Sequence, residues 1–457
     1  MYISRVQLEN IRGFGSGDLR VDLDLTRPDG RYAGWTVLAG RNGSGKSSFL
    51  RAVALAVAGP FVARGLQQSF VRWIHGNEEL ALASVDLILD ERDVFLSEVE
   101  RPSSTLSSEM VWRASRSGGE PSLGFPLASH PQIHGALGPV SHLVNESALV
   151  GGPWHQNLAA WFIAGYGPYR RLSNSSSDAH RLSEGPLQLS RLANLFRDDV
   201  PLTEGIQWLR ELHLLNLEGK EGAESMLRGL LNLLNDGLLP EATTVEKVDS
   251  EGLWVTQRGA SLPLRDMSEG YRTVVALVID LARQLASSYN EFIPERQDGQ
   301  WRVLYPGVVL IDEIELHLHL SWQRRIGFWF KRHFPNIQFI VTTHSPFVCQ
   351  AADPKGLIRL PAPSEDRTAE HVSDELYKTV VNGTVDEAAL TELFGLDHVH
   401  SDASERLRER VAQLEARVLD GEALPGEREE LERLAARLPN TGSALVDRAV
   451  RKFGADK

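Results

Sequence analysis

A glycine-rich octapeptide, Gly-Arg-Asn-Gly-Ser-Gly-Lys-Ser, occupies residues 40–47 and constrains this chain more than any other segment. It follows an apolar run at 36–39 that is typical of a buried strand, and a helix-forming run begins directly after it. This is the complete G-x-x-x-x-G-K-S pattern in the strand-to-helix context that the pattern requires. The sequence therefore predicts a phosphate-binding loop within an α/β fold.

Each residue type in this loop has a physical role in holding phosphate. Glycines let the backbone curl so that successive N–H groups face one anion, and the helix that follows adds the positive end of its dipole. We expect Lys46 to reach the outer phosphates and the hydroxyl of Ser47 to ligate Mg²⁺. The residues of this segment that are predicted to bind the nucleotide are Asn42, Gly43, Ser44, Gly45, Lys46, Ser47 and Ser48.

Two apolar runs in the second half of the chain end in polar side chains. The run at 307–311 predicts a strand buried on both faces, and Asp312 and Glu313 follow it. We expect Asp312 to hold Mg²⁺ through water and Glu313 to polarise the attacking water as general base. A second strand is predicted at 338–341, and His344 after its end is a predicted catalytic donor to a γ-phosphate, with a structural histidine as the alternative.

Residues 267–272, Met-Ser-Glu-Gly-Tyr-Arg, precede an apolar helix pattern, and a serine and a glycine at a helix start form an anion site. The segment lies about forty residues before the paired acids and resembles the signature motif of the ABC ATPases. The order of phosphate loop, signature, paired acids and final histidine is similar to that superfamily throughout. The resemblance implies that Ser268 and Gly270 contact ATP.

Within the superfamily, the chain resembles the compact RecF-like, SMC-like and OLD-type branch, including the ATPase subunits of Septu- and PARIS-type anti-phage systems. Residues 1–14 look like the first strand of that branch, which places Arg12 near the nucleotide. The acid-rich stretch 312–319 looks like the form found in OLD-type and related bacterial defence ATPases. The resemblance implies an ABC-ATPase head with a mixed α/β sheet around the phosphate loop, an antiparallel sheet, an inserted helical lobe and a C-terminal helical segment.

The chain departs from the ABC pattern where a core strand enters the helical lobe, a place that usually carries a glutamine. The equivalent strand is predicted at 161–164, and residues 165–171, Gly-Tyr-Gly-Pro-Tyr-Arg-Arg, follow it without a glutamine. Arg170 is interpreted either as a charge sensor that substitutes for the glutamine or as a solvated arginine in a plain turn.

Composition and patterning predict the organisation of the rest of the chain. Helical periodicity covers 187–240 and a strand-turn-strand pattern covers 244–256, whereas the Ser/Gly/Pro-rich stretch 102–131 is predicted to be a loop. Two amphipathic helices at 404–419 and 427–438 predict a hairpin that packs on the core or binds a partner. The predicted domains are ATPase lobe I with the phosphate loop at 1–170, the helical lobe with the signature at 171–300, the paired-acid and histidine part of the core at 301–360, and the C-terminal helical region at 361–457.

Composition also limits the possible surroundings and partners. Cys349 is the only cysteine in 457 residues, which favours a reducing cytoplasm. The longest apolar stretch, 52–63, is too short to span a bilayer and no secretory signal is evident, so no membrane partner is expected. The net charge of −13 argues against nucleic-acid binding over the whole surface but allows a local basic groove. The cluster Arg324, Arg325, Lys331 and Arg332 is interpreted as scattered helix-face charge.

No second chemistry is visible in the sequence, because no D-x-D pair for a nuclease metal site follows residue 346 and His317 with His319 lacks a further ligand. We therefore expect an ATP- and Mg²⁺-dependent conformational switch or sensor in which two chains pack head to tail, or form a higher oligomer. The family resemblance implies an anti-phage defence complex with a separate nuclease or toxin effector subunit and a DNA or phage-derived trigger. The alternatives are a RecF-like DNA-repair ATPase and an ATP-dependent scaffold with negligible hydrolysis.

Overall fold

A computed structural model describes residues 1–124, 145–158, 160–170, 185–240 and 243–439. Its strands are β1 (Tyr2–Glu9), β2 (Val21–Asp24), β3 (Gly34–Ala39), β4 (Leu80–Ile88), β5 (Thr105–Arg113), β6 (Ser122–Gly124), β7 (Ile163–Tyr166), β8 (Thr243–Asp249), β9 (Gly252–Gln257), β10 (Ala260–Pro263), β11 (Glu295–Gln297), β12 (Gln300–Arg302), β13 (Gly307–Ile311), β14 (Ile337–Thr343), β15 (Leu357–Arg359) and β16 (Glu370–His371). Its α-helices are α1 (Lys46–Ala58), α2 (Pro60–Leu66), α3 (Glu146–Val150), α4 (Leu187–Phe196), α5 (Thr203–Leu217), α6 (Ala223–Asn235), α7 (Glu269–Tyr289), α8 (Leu320–His333), α9 (Pro346–Cys349), α10 (Asp374–Asn382), α11 (Val385–Ala389), α12 (Asp402–Leu419) and α13 (Glu427–Ala435).

The central sheet has the strand order β16-β15-β3-β14-β13-β7, and only β16 runs antiparallel to its neighbour. Every residue of β3, β7, β13 and β14 is buried, as expected of parallel strands that are covered on both faces. Because β14 pairs with both β3 and β13, the carboxyl ends of these three strands meet at one edge. The segments that follow them are therefore brought together there.

The two faces of the central sheet pack against different layers. On one face, α1 lies against the sheet, and the antiparallel sheet β2-β1-β4-β5-β6 shares the same apolar core. On the other face, α7 and α8 join a second core with the helices α5 and α6. The predicted arrangement of a mixed sheet at the phosphate loop, an antiparallel sheet and an inserted helical lobe is therefore present.

The predicted strand-turn-strand pattern before the signature is confirmed. β8 and β9 pair antiparallel around a turn that ends in the register pair Asp249 and Gly252. A further strand, β10, pairs with β9 and was not predicted. The resulting three-stranded sheet leads directly into the short 3-10 turn Leu264–Asp266 and then into α7, so it delivers the chain to the signature segment.

The predicted loop at 102–131 is wrong at two places, because β5 and the short strand β6 lie within it. Residues Thr105–Arg113 form β5, which pairs with β4 along its whole length, and residues 125–144 lie outside the described ranges. Leu106, Ser108 and Met110 alternate inward from this strand. The buried Ser108 donates to the carbonyl of Ala56 at 2.6 Å, so a serine-rich composition conceals a core-facing strand. The strand predicted at 161–164 begins two residues later, as β7.

The chain forms two compact units, Met1–Phe394 and Gly395–Lys457. In the second unit, α12 and α13 confirm the predicted helical hairpin, although α13 ends at Ala435 and not at 438. Ion pairs from Arg410 to Glu430 and from Arg417 to Glu427 show that the two helices run antiparallel. The four domain boundaries predicted from the sequence stay predictions. Across the described part of the chain, no helix combines the length and the apolar character needed to cross a membrane.

Candidate functional site

The phosphate loop connects the end of β3 to the start of α1, which begins at Lys46. Gly43 and Gly45 adopt left-handed backbone conformations, with φ of 83° and 87°. A Cβ atom on Gly45 would lie 2.9 Å from the ring of Phe14, and one on Gly40 would lie 2.6 Å from the carbonyl oxygen of Leu360. A larger residue would therefore clash at either position, and at Gly45 it would also be strained by the left-handed backbone.

The ammonium group of Lys46 lies inside this loop. Its Nζ donates to the carbonyl oxygens of Gly40 at 2.8 Å and Arg41 at 3.0 Å. Burial lowers the pKa of Lys46 to about 8, while the carboxylates of Asp312, Glu313 and Glu315 act in the opposite direction. A partly desolvated cation held by carbonyl oxygens of the loop and close to three acids fits a nucleotide polyphosphate with a divalent cation.

The paired acids are held together by one hydroxyl from the neighbouring strand. Thr342 on β14 donates to Oδ1 of the buried Asp312 at 2.6 Å, and its Oγ1 accepts the backbone N–H of Glu313 at 2.7 Å. Burial raises the pKa of Glu313, and the nearby charges of Asp312 and Glu315 raise it further. A carboxylate whose pKa moves toward neutral pH is suited to accept a proton from water.

His344 lies beside the same acids. Its backbone N–H donates to Glu315, whose other carboxylate oxygen accepts from Thr343 Oγ1 at 2.8 Å. Burial lowers the pKa of His344, and the charge of Lys46 lowers it further, so the imidazole is neutral at neutral pH. The structure thus brings Lys46, Asp312, Glu313 and His344 to one edge of the sheet, as the sequence predicts.

Arg170 is neither of the alternatives that the sequence left open. Its side chain is fully buried, so it is not solvated, and its guanidinium is occupied by carbonyl groups, so it is not free to sense charge. Nη1 donates to the carbonyl oxygens of Gly167 at 2.6 Å and Asp312 at 2.7 Å, and Nη2 donates to that of Glu313 at 3.0 Å. Glu313 has a left-handed backbone with φ of 45°, which is uncommon for a residue with a side chain. Arg170 therefore clamps the backbone that carries both acids.

Replacing Arg170 with methionine is expected to lower the rate of ATP turnover by roughly 10- to 100-fold and to leave the affinity for ATP nearly unchanged. The reason is that Lys46 and the phosphate loop stay in place, while a small shift of Glu313 spoils the geometry of proton transfer. Arg191→Met is the matched control, because Arg191 is equally buried but donates to the carbonyl of Trp161. Steady-state kinetics and thermal melting would separate the two effects: equal losses of turnover in both variants would reduce Arg170 to a purely structural role.

Arg12 lies close to the first turn of α1. Its guanidinium is 4.8 Å from the centre of the Trp73 ring, and its Nη1 is 3.4 Å from Oγ of Ser48. Of the remaining loop residues, Asn42 is exposed, Ser44 and Ser48 are buried, and Ser47 is half-buried at the start of the helix. Their contacts to ATP, and those of Ser47 and Asp312 to Mg²⁺, stay predictions.

The signature segment contacts the stretch that follows the paired acids. Ser268 is the N-cap residue of α7, and a Cβ atom on Gly270 would lie 2.6 Å from the carbonyl oxygen of His317. Glu269 Oε2 lies 3.8 Å from His317 Nδ1. Among the described residues, no hydrogen bond or ion pair joins Ser268 or Gly270 to the phosphate loop. His319 has a local role, since its ring accepts the N–H of Ser321 at the start of α8.

Sequence reasoning missed the residues that support the acids. Thr342, Thr343 and Glu315 lie within motifs that were identified, but their roles depend on pairing between β13 and β14. The two threonines directly before His344 are the sequence signal that could have indicated these supporting contacts. Hydroxyl groups at the end of a buried strand need partners, and the acids of the neighbouring strand end are the nearest acceptors.

Comparisons with known proteins find matches to the segments that contain these residues. Residues 153–350 match the family model of an AAA domain described as putative AbiEii toxin of a type IV toxin–antitoxin system, and residues 5–89 match a second AAA-domain model. The chain is 25% identical over 347 residues to the Septu protein PtuA of Bacillus mycoides (strain KBAB4), a match that covers 76% of this chain and 38% of that protein. It is 44% identical over 105 residues to the Retron Ec83 probable ATPase of Escherichia coli, covering 23% of this chain and 18% of that protein.

The matched regions therefore span well under half of the length of these curated relatives. Among solved structures, an SMC head bound to the C-winged helix domain of ScpA aligns with a TM-score of 0.45 at 17% identity, over 81% of this chain and 98% of that chain. The phosphate loop falls in the first AAA-domain match along the chain, and the paired acids with His344 fall in the other. Both parts of the nucleotide site therefore lie inside segments of the chain that match AAA-domain models.

Proposed function

We propose that this chain hydrolyses Mg–ATP and serves as the switch subunit of an anti-phage defence complex. The observation that carries the proposal is the convergence of Lys46, Asp312, Glu313 and His344 at the carboxyl edge of three adjacent parallel strands. One buried cation, two acids and a neutral imidazole are the parts that phosphoryl transfer to water requires.

The residues have distinct parts in this reaction. Lys46 offsets the negative charge on the outer phosphates, and Ser47 and Asp312 would hold Mg²⁺, which polarises those phosphates when bound. Glu313 accepts a proton from the water as that water bonds to the γ-phosphorus and ADP leaves. His344 donates a hydrogen bond to the γ-phosphate. Thr342 and Arg170 keep Glu313 in its left-handed conformation throughout.

We further propose that two chains share each nucleotide head to tail. The proposal is supported by the position of the signature segment, since Glu269 and Gly270 lie against His317. Within the described residues, neither Ser268 nor Gly270 makes a hydrogen bond to the phosphate loop of its own chain. A helix start whose N–H groups are not bonded to the phosphate loop of its own chain is available to a phosphate on another chain. Nucleotide binding would then close the dimer, and hydrolysis would reopen it.

The defence role is supported by the similarity to Septu protein PtuA and to the Retron Ec83 probable ATPase. A separate nuclease or toxin subunit would deliver the effect, with DNA or a phage-derived component as trigger. Within the described residues there is no group of three or more His, Cys, Asp or Glu side chains placed to hold a metal.

The purified chain is expected to hydrolyse ATP weakly with Mg²⁺ and to leave DNA uncut with Mg²⁺ or Mn²⁺, since a two-metal nuclease needs several convergent carboxylates. Phosphate release and plasmid cleavage would be measured side by side, with Lys46→Ala as the control for contaminating ATPases. Deleting residues 400–457 should spare hydrolysis, because the site lies within Met1–Phe394, and should impair co-purification of the effector. DNA cleavage by the lone chain that Glu313→Gln leaves intact would contradict the proposal.

A further inference from the structure

A cavity of about 570 Å³ lies beside α8, and none of the nucleotide-site residues described above lines it. One wall is formed by Arg324, Arg325, Phe328 and Arg332 of α8, and the opposite wall by the turn that ends α10, including Asn382. The cavity is open to solvent, and its volume is within the range of small-molecule sites. None of its lining residues takes part in the proposed hydrolysis, so the inference does not rest on that function.

The cavity concentrates positive charge on an acidic protein. The side chains of Arg324, Arg325 and Arg332 are exposed, and within the described residues none of them forms an ion pair or a side-chain hydrogen bond. Lys331 on the same helix differs, because it pairs with Asp353 at 3.0 Å. Since the chain carries 61 acidic and only 48 basic residues, three uncompensated guanidinium groups around one cavity favour an anionic ligand.

Two acids that lie near the cavity lining along the chain, Asp236 and Glu387, are already engaged elsewhere. The carboxylate of Asp236 accepts the backbone N–H of Trp301 at 2.8 Å, and that of Glu387 binds Thr384 in a capping box. Neither is available to neutralise the arginines of α8. Because Arg324, Arg325 and Arg332 line one cavity, we interpret them as a cationic wall and not as the scattered helix-face charge that the sequence suggested.

An aromatic ring is interleaved with these charges. Phe328 is 43% exposed, and it follows Arg324 and precedes Arg332 by four residues each, so the three side chains share one face of the helix. Nζ of Lys331 lies 5.2 Å from the centre of the Phe328 ring, and the exposed part of the ring offers a stacking surface for a base. Guanidinium groups bind phosphate through their planar forks. The amide of Asn382 on the opposite wall adds donors and an acceptor for base edges.

We propose that this cavity binds single-stranded nucleic acid, with one or two nucleotides seated against Phe328 and their phosphates on the arginines. A base-paired duplex does not fit the size of the cavity and cannot present a free base face to the ring. An acidic peptide would satisfy the arginines but would leave Phe328 without a role, so single strands are the ligand that uses the whole wall.

The test is fluorescence anisotropy of the full chain, with excess Mg–ATP present to occupy the phosphate loop. The probe is a labelled oligothymidylate of about 12 nucleotides, within the usual site size of single-strand binders. R324A/R325A/R332A should weaken binding at least tenfold and reduce the slope of log K against log salt by about 2, since each lost phosphate contact on a single strand contributes roughly 0.7. F328A should weaken binding roughly tenfold with an unchanged salt slope, because it removes stacking and no charge.

The matched control is R116A/K220A/R258A, which removes the same charge from exposed positions outside the cavity and should change affinity by less than about twofold. Thermal melting checks that every variant is folded. Equal weakening in both triple variants would mean non-specific attraction and would overturn the proposal. So would binding of a duplex as tight as that of the single strand, or capture of an acidic peptide with no binding of the oligonucleotide.

Discussion

Glu313→Gln is expected to lower ATP turnover by about 10²-fold or more and to keep ATP binding, because it removes only the proton acceptor. The amide has the size of the carboxylate, and the bonds that hold this residue are made by its backbone, to Thr342 and Arg170. Single-turnover hydrolysis and calorimetric titration with Mg–ATP would measure the two quantities separately. Glu295→Gln, an exposed position on β11, is the control for an unspecific effect of the amide.

The pH dependence of turnover provides a second readout on Glu313. Because burial and the neighbouring acids raise the pKa of Glu313, the carboxylate is lost at a higher pH than for an exposed glutamate. Turnover should therefore fall as the pH decreases through that raised pKa, and the fall should be absent from the residual activity of Glu313→Gln. Near-normal turnover in the variant would mean that another residue is the general base, and His344 would be the next candidate.

Lys46→Ala is expected to abolish measurable ATP binding, with a loss of affinity of at least about 100-fold. The alanine removes the buried cation that faces the outer phosphates, and it also removes the bonds that Lys46 makes to the carbonyl oxygens of Gly40 and Arg41. Calorimetry with Mg–ATP measures the affinity, and Lys378→Ala, on the exposed side of α10, is the control for loss of one positive charge. Unchanged affinity in a folded Lys46→Ala chain would mean that residues 40–47 do not hold the nucleotide.

The parts of the fold that the sequence predicts well are those in which several constraints coincide. At 40–47, the spacing of the glycines, the lysine, the buried strand before the segment and the helix after it all fit a phosphate-binding loop. The local pattern alone therefore identifies the loop. The strand at 307–311 is predicted correctly for a similar reason, since five consecutive apolar residues before two acids leave few alternatives. By contrast, β5 contains three serine or threonine residues, and its inward-facing Ser108 hides the alternation of apolar and polar side chains.

The supporting contacts of the site could not be predicted because they join distant positions in the chain. Arg170 is separated from Asp312 by 142 residues, and only the pairing of β7 with β13 brings them together. Its sequence context, a turn rich in glycine and proline, is also typical of solvated arginines. The contact between Gly270 and His317 likewise depends on how α7 packs beside the segment after β13, which no local periodicity records.

The most direct test of the account is a mixing experiment with two inactive variants. Ser268 is exposed at the start of α7, so Ser268→Arg should fold, while its bulk and charge block the place where the γ-phosphate of a partner docks. If two chains share each site, a dimer of one Ser268→Arg chain and one Lys46→Ala chain contains one intact site and one doubly altered site. Random mixing yields about half mixed dimers, so the account predicts recovery of about one quarter of the wild-type ATPase rate. Mixed dimers that are demonstrated with two affinity tags but show no recovery would contradict it.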